Sequence, residues 1–177
     1  MEILDIVDEN NNFTGEKLDR KVVHEKGLWH REVSVYIINE NNEILVQKRA
    51  ATKKLCPNKW ALCEGHIDSG EDEMSAAIRE VKEEVGLNIN KEDLISIGIE
   101  KSSKIREKII NNKFKYIYLV KTNTKLEDYK IQYEELSELK YLSINELIEI
   151  INNKDDNYIF SGSKEMLDFL QNINKYI

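Results

Sequence analysis

The pattern that most restricts how this chain can fold is a change of period near its middle. Upstream, apolar residues alternate with polar ones or run in short β-branched blocks. From residue 71 to 85, Met74, Ala77, Ile78, Val81 and Val85 instead recur at spacings of three and four. The first pattern builds strands and the second builds one amphipathic helix. Residues 2–7 alternate, Asn10, Asn11 and Asn12 supply a turn, and residues 13–18 complete an N-terminal hairpin over about 2–18. Residues 33–38 and 43–47, separated by Asn39, Asn41 and Asn42, read as a second hairpin. Residues 94–100, 113–120 and 141–142 read as further strands. Ser143 with Glu146 three positions on is a capping box, so a second helix covers 144–151, and a third covers 163–173 within a C-terminal helical region of about 144–176. Strands, one helix, strands and then helices, without regular alternation, predict an α+β sandwich whose helices flank a mixed sheet, not a doubly wound fold.

Composition sets the outer bounds. The chain has 177 residues, one proline and seven glycines, and no Ser/Gly/Pro-rich stretch marks a linker, so a single domain over 1–177 is expected. The start lacks a basic segment followed by an apolar core, and no run is long enough to cross a bilayer, which predicts a soluble cytoplasmic protein. Cys56 and Cys63 match neither a zinc nor a redox spacing and read as reduced thiols. A net charge of -7 argues against a nucleic-acid polymer as partner. A polyanionic substrate then needs a metal or a local basic patch. A monomer and a homodimer both fit.

On the helix that ends at Val85, Met74, Ile78, Val81 and Val85 share a stripe, and the pattern places Glu80, Glu83 and Glu84 on the opposite side. A bare Glu-x-x-Glu-Glu is explained well enough by a solvated acidic face. Three crowded carboxylates nevertheless repel one another unless cations neutralise them, and hard divalent ions suit them, Mg²⁺ first with Mn²⁺ able to substitute.

The context favours the metal. Gly65, five residues, Glu71, seven residues, then Arg79-Glu80-Val81-Lys82-Glu83-Glu84-Val85-Gly86-Leu87 resembles the Nudix box without a departure. The resemblance implies an α/β/α sandwich and metal-dependent hydrolysis of a small-molecule diphosphate, such as a nucleoside diphosphate linked to another moiety. Carried over position by position, it gives Glu80, Glu83 and Glu84 as metal ligands with the Gly65 carbonyl. Glu71 and Arg79 then orient those ligands, Arg79 pairing with both Glu71 and Glu83. Gly65 and Gly70 would allow a tight loop, and Gly86 a left-handed helix cap. The general base is a box glutamate, Glu83 first, or an acid on a later loop, with Glu135 ahead of Glu134.

Upstream, Val23-His24, Leu28-Trp29-His30-Arg31, Leu45-Val46-Gln47-Lys48-Arg49, Lys53-Lys54, Trp60 and Gly65-His66 resemble the branch of Nudix proteins related to type I isopentenyl-diphosphate isomerases. In those isomerases the positions of His24, His30 and His66 bind a divalent metal, and those of Arg49 and Lys53 hold the substrate diphosphate. The isomerisation machinery is missing here. Glu64, not Cys63, falls at the catalytic cysteine position, and Asn111-Asn112-Lys113 stands where the isomerases carry Glu-x-Glu. One residue along a strand reverses the face, so Cys63 does not simply replace the cysteine. The box is intact, where isomerases tend to have a degraded one. Hydrolysis is therefore expected before isomerisation or a non-catalytic nucleotide-binding role. His24, His30 and His66 are expected to line the substrate pocket with Arg49 and Lys53, and Trp29 and Trp60 to pack.

Overall fold

A computed structural model of the chain describes residues 2–106 and 109–177. It contains the N-terminal hairpin β1 (Ile3–Val7) and β2 (Phe13–Asp19), a short helix α1 (Arg20–Lys26), and strands β3 (Trp29–Ile38) and β4 (Glu43–Arg49). The short strands β5 (Trp60–Ala61) and β6 (Cys63–His66) precede helix α2 (Glu73–Val85). Strands β7 (Ile95–Arg106), β8 (Ile109–Lys121) and β9 (Leu136–Ser143) then lead to helices α3 (Ile144–Asn153) and α4 (Lys164–Gln171).

The second hairpin forms only at its base, where Ile38 faces Ile44 before β3 and β4 part. Segment 60–66 fills the gap, β5 pairing with β4 and β6 with β3. β3 runs parallel to β8 along its whole length and the other pairings are antiparallel, so the sheet is mixed, as expected.

Alternation along β3 sorts its side chains between two layers. Val33, Val35 and Ile37 pack with Ala76, Ala77, Val81 and Val85 of α2. Tyr36 and Ile38 pack with Leu147 and Ile151 of α3 and with Met166, Phe169 and Leu170 of α4. The result is an α/β/α sandwich. On the α3/α4 face the lining changes character along the strands: Tyr36 and Ile38 give way on β3 to Ser34, Glu32 and His30, and Leu119 and Ile117 give way on β8 to Lys115 and Lys113. That polar end of an otherwise apolar face is not expected of a core surface.

Helix α1 is absent from the periodicity reading because it has only seven residues and one buried apolar side chain, Val23. Its ends are nevertheless well defined, with the Asp19 side chain accepting from the Lys21 N–H and Gly27 closing it in the left-handed conformation at φ 64. Leu4, Ile6 and Val23 form a small separate core that holds α1 to the hairpin. No helix among the described residues is long and apolar enough to cross a membrane.

Candidate active site

Helix α2 is capped at both ends, by the Asp72 side chain accepting from the Ser75 N–H and by Gly86 at φ 71. Segment 129–135 docks on its last turn, Lys130 N donating to Val85 O and Gln132 N to Glu84 O, which satisfies carbonyls a helix end leaves open. The carboxylates do not share one solvent face, as the helical wheel suggested. Glu84 is buried at 5% exposure and Glu80 is nearly so, while the Glu83 side chain is half exposed. The reason is the sheet edge beside the helix. Residue 65 is a glycine, and a Cβ there would overlap the Glu80 carboxylate, so the loss of one side chain on β6 makes room for a charged one on α2. Glu84 lies where Gln47 of β4 donates to its Oε2 at 2.8 Å while also donating to Leu62 O at 3.0 Å.

Arg79 organises the outer side. It donates through Nε and Nη2 to Glu71, at 3.1 and 2.9 Å, through Nη1 to Glu80 at 2.6 Å and more loosely to Glu83 at 3.4 Å, and through Nη2 to the His66 carbonyl at 2.9 Å. Burial pushes the Glu80 pKa up to about 7 although Arg79 opposes this, and it pushes Glu84 up to about 8, with the charges of Glu80 and Glu135 adding to the effect. Buried carboxylates so disfavoured as anions, with the Gly65 backbone packed against Glu80, form an oxygen donor set that fits a hard divalent cation.

The basic pair and the later acid meet at the same end. Lys53 Nζ is 2.9 Å from Glu135 Oε1, and Ala50 N donates to Glu135 O at 2.8 Å, so the loop after β4 is fastened to the loop before β9. Arg49 donates through Nε to Leu55 O at 3.2 Å, which holds that loop from within.

His24, His30 and His66 come together on the other face of β3 and β6. Their candidate ligand atoms lie within 4.8 Å of one another, and His24 Nε2 stands 3.1 Å from His66 Nε2. His30 is fully buried, so the three histidines face each other more than any open cleft. Burial, helped by the neighbouring histidines, lowers the His24 pKa to about 4, and burial lowers that of His66. Next to them Glu64 accepts from Ser34 Oγ at 3.0 Å and pairs with Lys115 at 3.2 Å, which is also 3.4 Å from Glu100. Cys63 points the opposite way, buried among α2 residues beside Glu84, and burial raises its pKa well above the ordinary thiol value.

Sequence reasoning missed Gln47, Glu32, Ser34, Lys115 and Glu100. A signal existed for Ser34, which interrupts the apolar run from Val33 to Ile38 and has a buried neighbour on each side.

With the fold and this geometry in place, comparison with known proteins is direct. Residues 28–161 match the NUDIX domain, and the chain belongs to the Nudix family. Its intact box, built as described, makes it an enzyme of the Nudix hydrolase kind. It is 35% identical over 165 residues to an uncharacterized Nudix hydrolase of Clostridium acetobutylicum, covering 91% of this chain and 79% of that one. It is also 30% identical over 177 residues to isopentenyl-diphosphate Δ-isomerase 1 of Photorhabdus laumondii, covering 97% of each. Among solved structures, DR0079 of Deinococcus radiodurans superposes with a TM-score of 0.68 at 19% identity, covering 97% of this chain and 98% of that one.

Proposed function

We propose that this chain is a cytoplasmic Mg²⁺-dependent hydrolase, with Mn²⁺ able to substitute, that cleaves the diphosphate linkage of a nucleoside diphosphate or one of its derivatives. The observation that carries this is a buried pair of carboxylates on one helix, Glu80 packed against Gly65 and Glu84 held by Gln47, for which Arg79, bound to Glu80, supplies a single positive charge. Glu80, Glu83, Glu84 and the Gly65 carbonyl would hold the metal, which supplies a more acidic water and neutralises phosphoryl charge. Arg79 and Glu71 keep Glu80 and Glu83 in position, and Gln47 does the same for Glu84 from inside the sheet. Lys53 and Arg49 bind the diphosphate oxygens. Lys53 releases Glu135 as it turns to the substrate, and Glu135 or Glu83 then accepts the proton of the attacking water.

The full-length similarity to an isomerase gives isopentenyl diphosphate a place among candidate substrates. Carbon chemistry is disfavoured, because Glu64 is engaged by Lys115 at the position where the isomerases carry a cysteine, and Cys63 faces α2. The test is a panel of nucleoside di- and triphosphates, nucleotide sugars, dinucleotides and prenyl diphosphates with Mg²⁺ or Mn²⁺, read by phosphate release. Solvent deuterium uptake into isopentenyl diphosphate is followed in parallel. Hydrolysis of no member overturns the proposal, and deuterium uptake without hydrolysis replaces it with isomerisation.

A further inference from the structure

Strand β7 stands at the edge of the sheet. It pairs with β8 and with no other strand among the described residues, so a row of backbone N–H and C=O groups is open along its outer side. Such an edge is ordinarily blunted by a proline, a very short strand or outward-pointing lysines. β7 is twelve residues long and contains no proline. The register shift between Ser96 and Gly98 is followed by a regular run to Arg106. Lys101, placed to guard that run, turns back over the sheet instead, where its Nζ donates to the Glu9 carbonyl oxygen and lies 4.7 Å from the centre of the Trp29 ring.

Of the five large apolar side chains that are exposed among the described residues, two sit on this run, Ile99 at 56% and Ile105 at 73% exposure. Apolar side chains beside open backbone groups are the chemistry that receives another strand.

The residues of the run select the strand. Two copies related by a two-fold axis perpendicular to the sheet keep the same face on the same side, so residues that oppose each other are both odd or both even in number. Centred on Ser102, antiparallel pairing sets Ile99 opposite Ile105 of the second copy, Glu100 opposite its Lys104 and Lys101 opposite its Ser103, and each of these pairs occurs twice. Apolar meets apolar and acid meets base. Moving the centre to Lys101 brings that lysine against its own copy. Moving it to Ser103 carries Ile99 past Arg106, the end of the strand.

The charge along the edge is unbalanced in the direction that this pairing corrects. Glu100 lies 3.4 Å from Lys115, but the same lysine lies 3.2 Å from Glu64, one cation between two carboxylates. Lys104 is exposed on the same face of β7 as Glu100. Lys104 of a second copy brings a second positive charge to Glu100.

We propose that β7 is a self-association edge, through which two copies of this chain pair antiparallel over residues 99–105 about Ser102 and continue the mixed sheet from one copy into the next. The pairing does not depend on hydrolysis, since no residue of the box lies on β7.

The experiment is sedimentation velocity of the purified full chain at rising concentration, with disulfide trapping to fix the register. Expected is a reversible equilibrium between monomer and dimer with a dissociation constant on the order of 10–100 μM, as suits a short edge contact. Lys104→Glu sets two acids opposite each other, and Ile105→Thr keeps the strand preference but removes the apolar contact. Each should weaken the dimer by about tenfold or more. Both residues are exposed, so the monomer should keep its thermal midpoint. Opposed Cα atoms of an antiparallel pair lie about 4.5–5.5 Å apart, within reach of a disulfide. Ser102→Cys should therefore cross-link two copies under mild oxidation, and Ser103→Cys, offset from its own copy by two residues, should do so no faster than the wild-type chain. A chain that stays monomeric, as it would if the edge took a strand of another protein, overturns the proposal. So does a dimer indifferent to Lys104→Glu and Ile105→Thr, or one that cross-links no faster through Ser102→Cys than through Ser103→Cys.

Discussion

Gln47 Nε2 donates a 2.8 Å hydrogen bond to Glu84 Oε2, joining the middle of the sheet to the innermost carboxylate of the box helix. Glu84→Gln preserves shape and removes the negative charge. Turnover with saturating Mg²⁺ should fall by about 10²–10³-fold, the equivalent of a few kcal/mol of lost transition-state stabilisation. The thermal midpoint of the metal-free protein should not drop at pH 8, because the replaced group is costly there as an anion. Steady-state kinetics and melting of the same preparation check both halves, and a variant that keeps full rate would remove Glu84 from the site.

The raised pKa values of Glu80 and Glu84 set the direction of a pH effect on stability. Both lie above the ordinary glutamate value in the folded chain, at about 7 and about 8, so their contribution is fully present below about pH 4.5. It is lost as pH rises through 7 and then 8. Metal-free protein should therefore lose on the order of a few kcal/mol from this pair between about pH 5 and 8.5. Millimolar Mg²⁺ or Mn²⁺ should restore it, with a larger gain at pH 8 than at pH 6. Denaturant melts at both pH values, with and without metal, measure this, and a metal effect that does not grow with pH would contradict the shifts.

Gly65 offers a sharper probe of the box. A methyl group at this position would occupy the space of the Glu80 carboxylate, which cannot retreat without leaving Arg79. Gly65→Ala should cost activity and Mg²⁺ affinity together, by at least about tenfold each, while far-ultraviolet circular dichroism stays native. Activity kinetics and metal titration test the pairing of the two losses.

What could be read in advance, and what could not, follows from distance along the chain. The box was legible because its spacing lies within one loop and one helix, and Arg79 does pair with Glu83 as its helical offset predicts and with Glu71 in the loop before the helix. The helical wheel misjudged Glu80 and Glu84 because it knows only the helix, not the sheet edge beside it, where Gly65 makes room for Glu80 and Gln47 meets Glu84. Strands β5 and β6 were invisible as strands because they are two and four residues long and exist to fill the gap between β3 and β4. Glu32 and Lys113 are 81 positions apart, and their meeting depends on the parallel register of β3 with β8, which no local pattern encodes. Cys63 is the opposite case: strand alternation alone placed it away from the histidine face, and it lies there.

Substitutions at Lys53 and Glu135 would separate the proposed binding and proton-transfer roles. Their ion pair is partly exposed, so breaking it should change stability by less than about 1 kcal/mol. Lys53→Met should raise KM by about tenfold or more with a smaller effect on kcat, since a lost cation weakens diphosphate binding in ground and transition states alike. Glu135→Gln should lower kcat by about 10²-fold if Glu135 takes the proton, and leave KM nearly unchanged. Should Glu135→Gln keep its kcat while Glu83→Gln loses it, the base is Glu83 and Glu135 only parks Lys53 between turnovers.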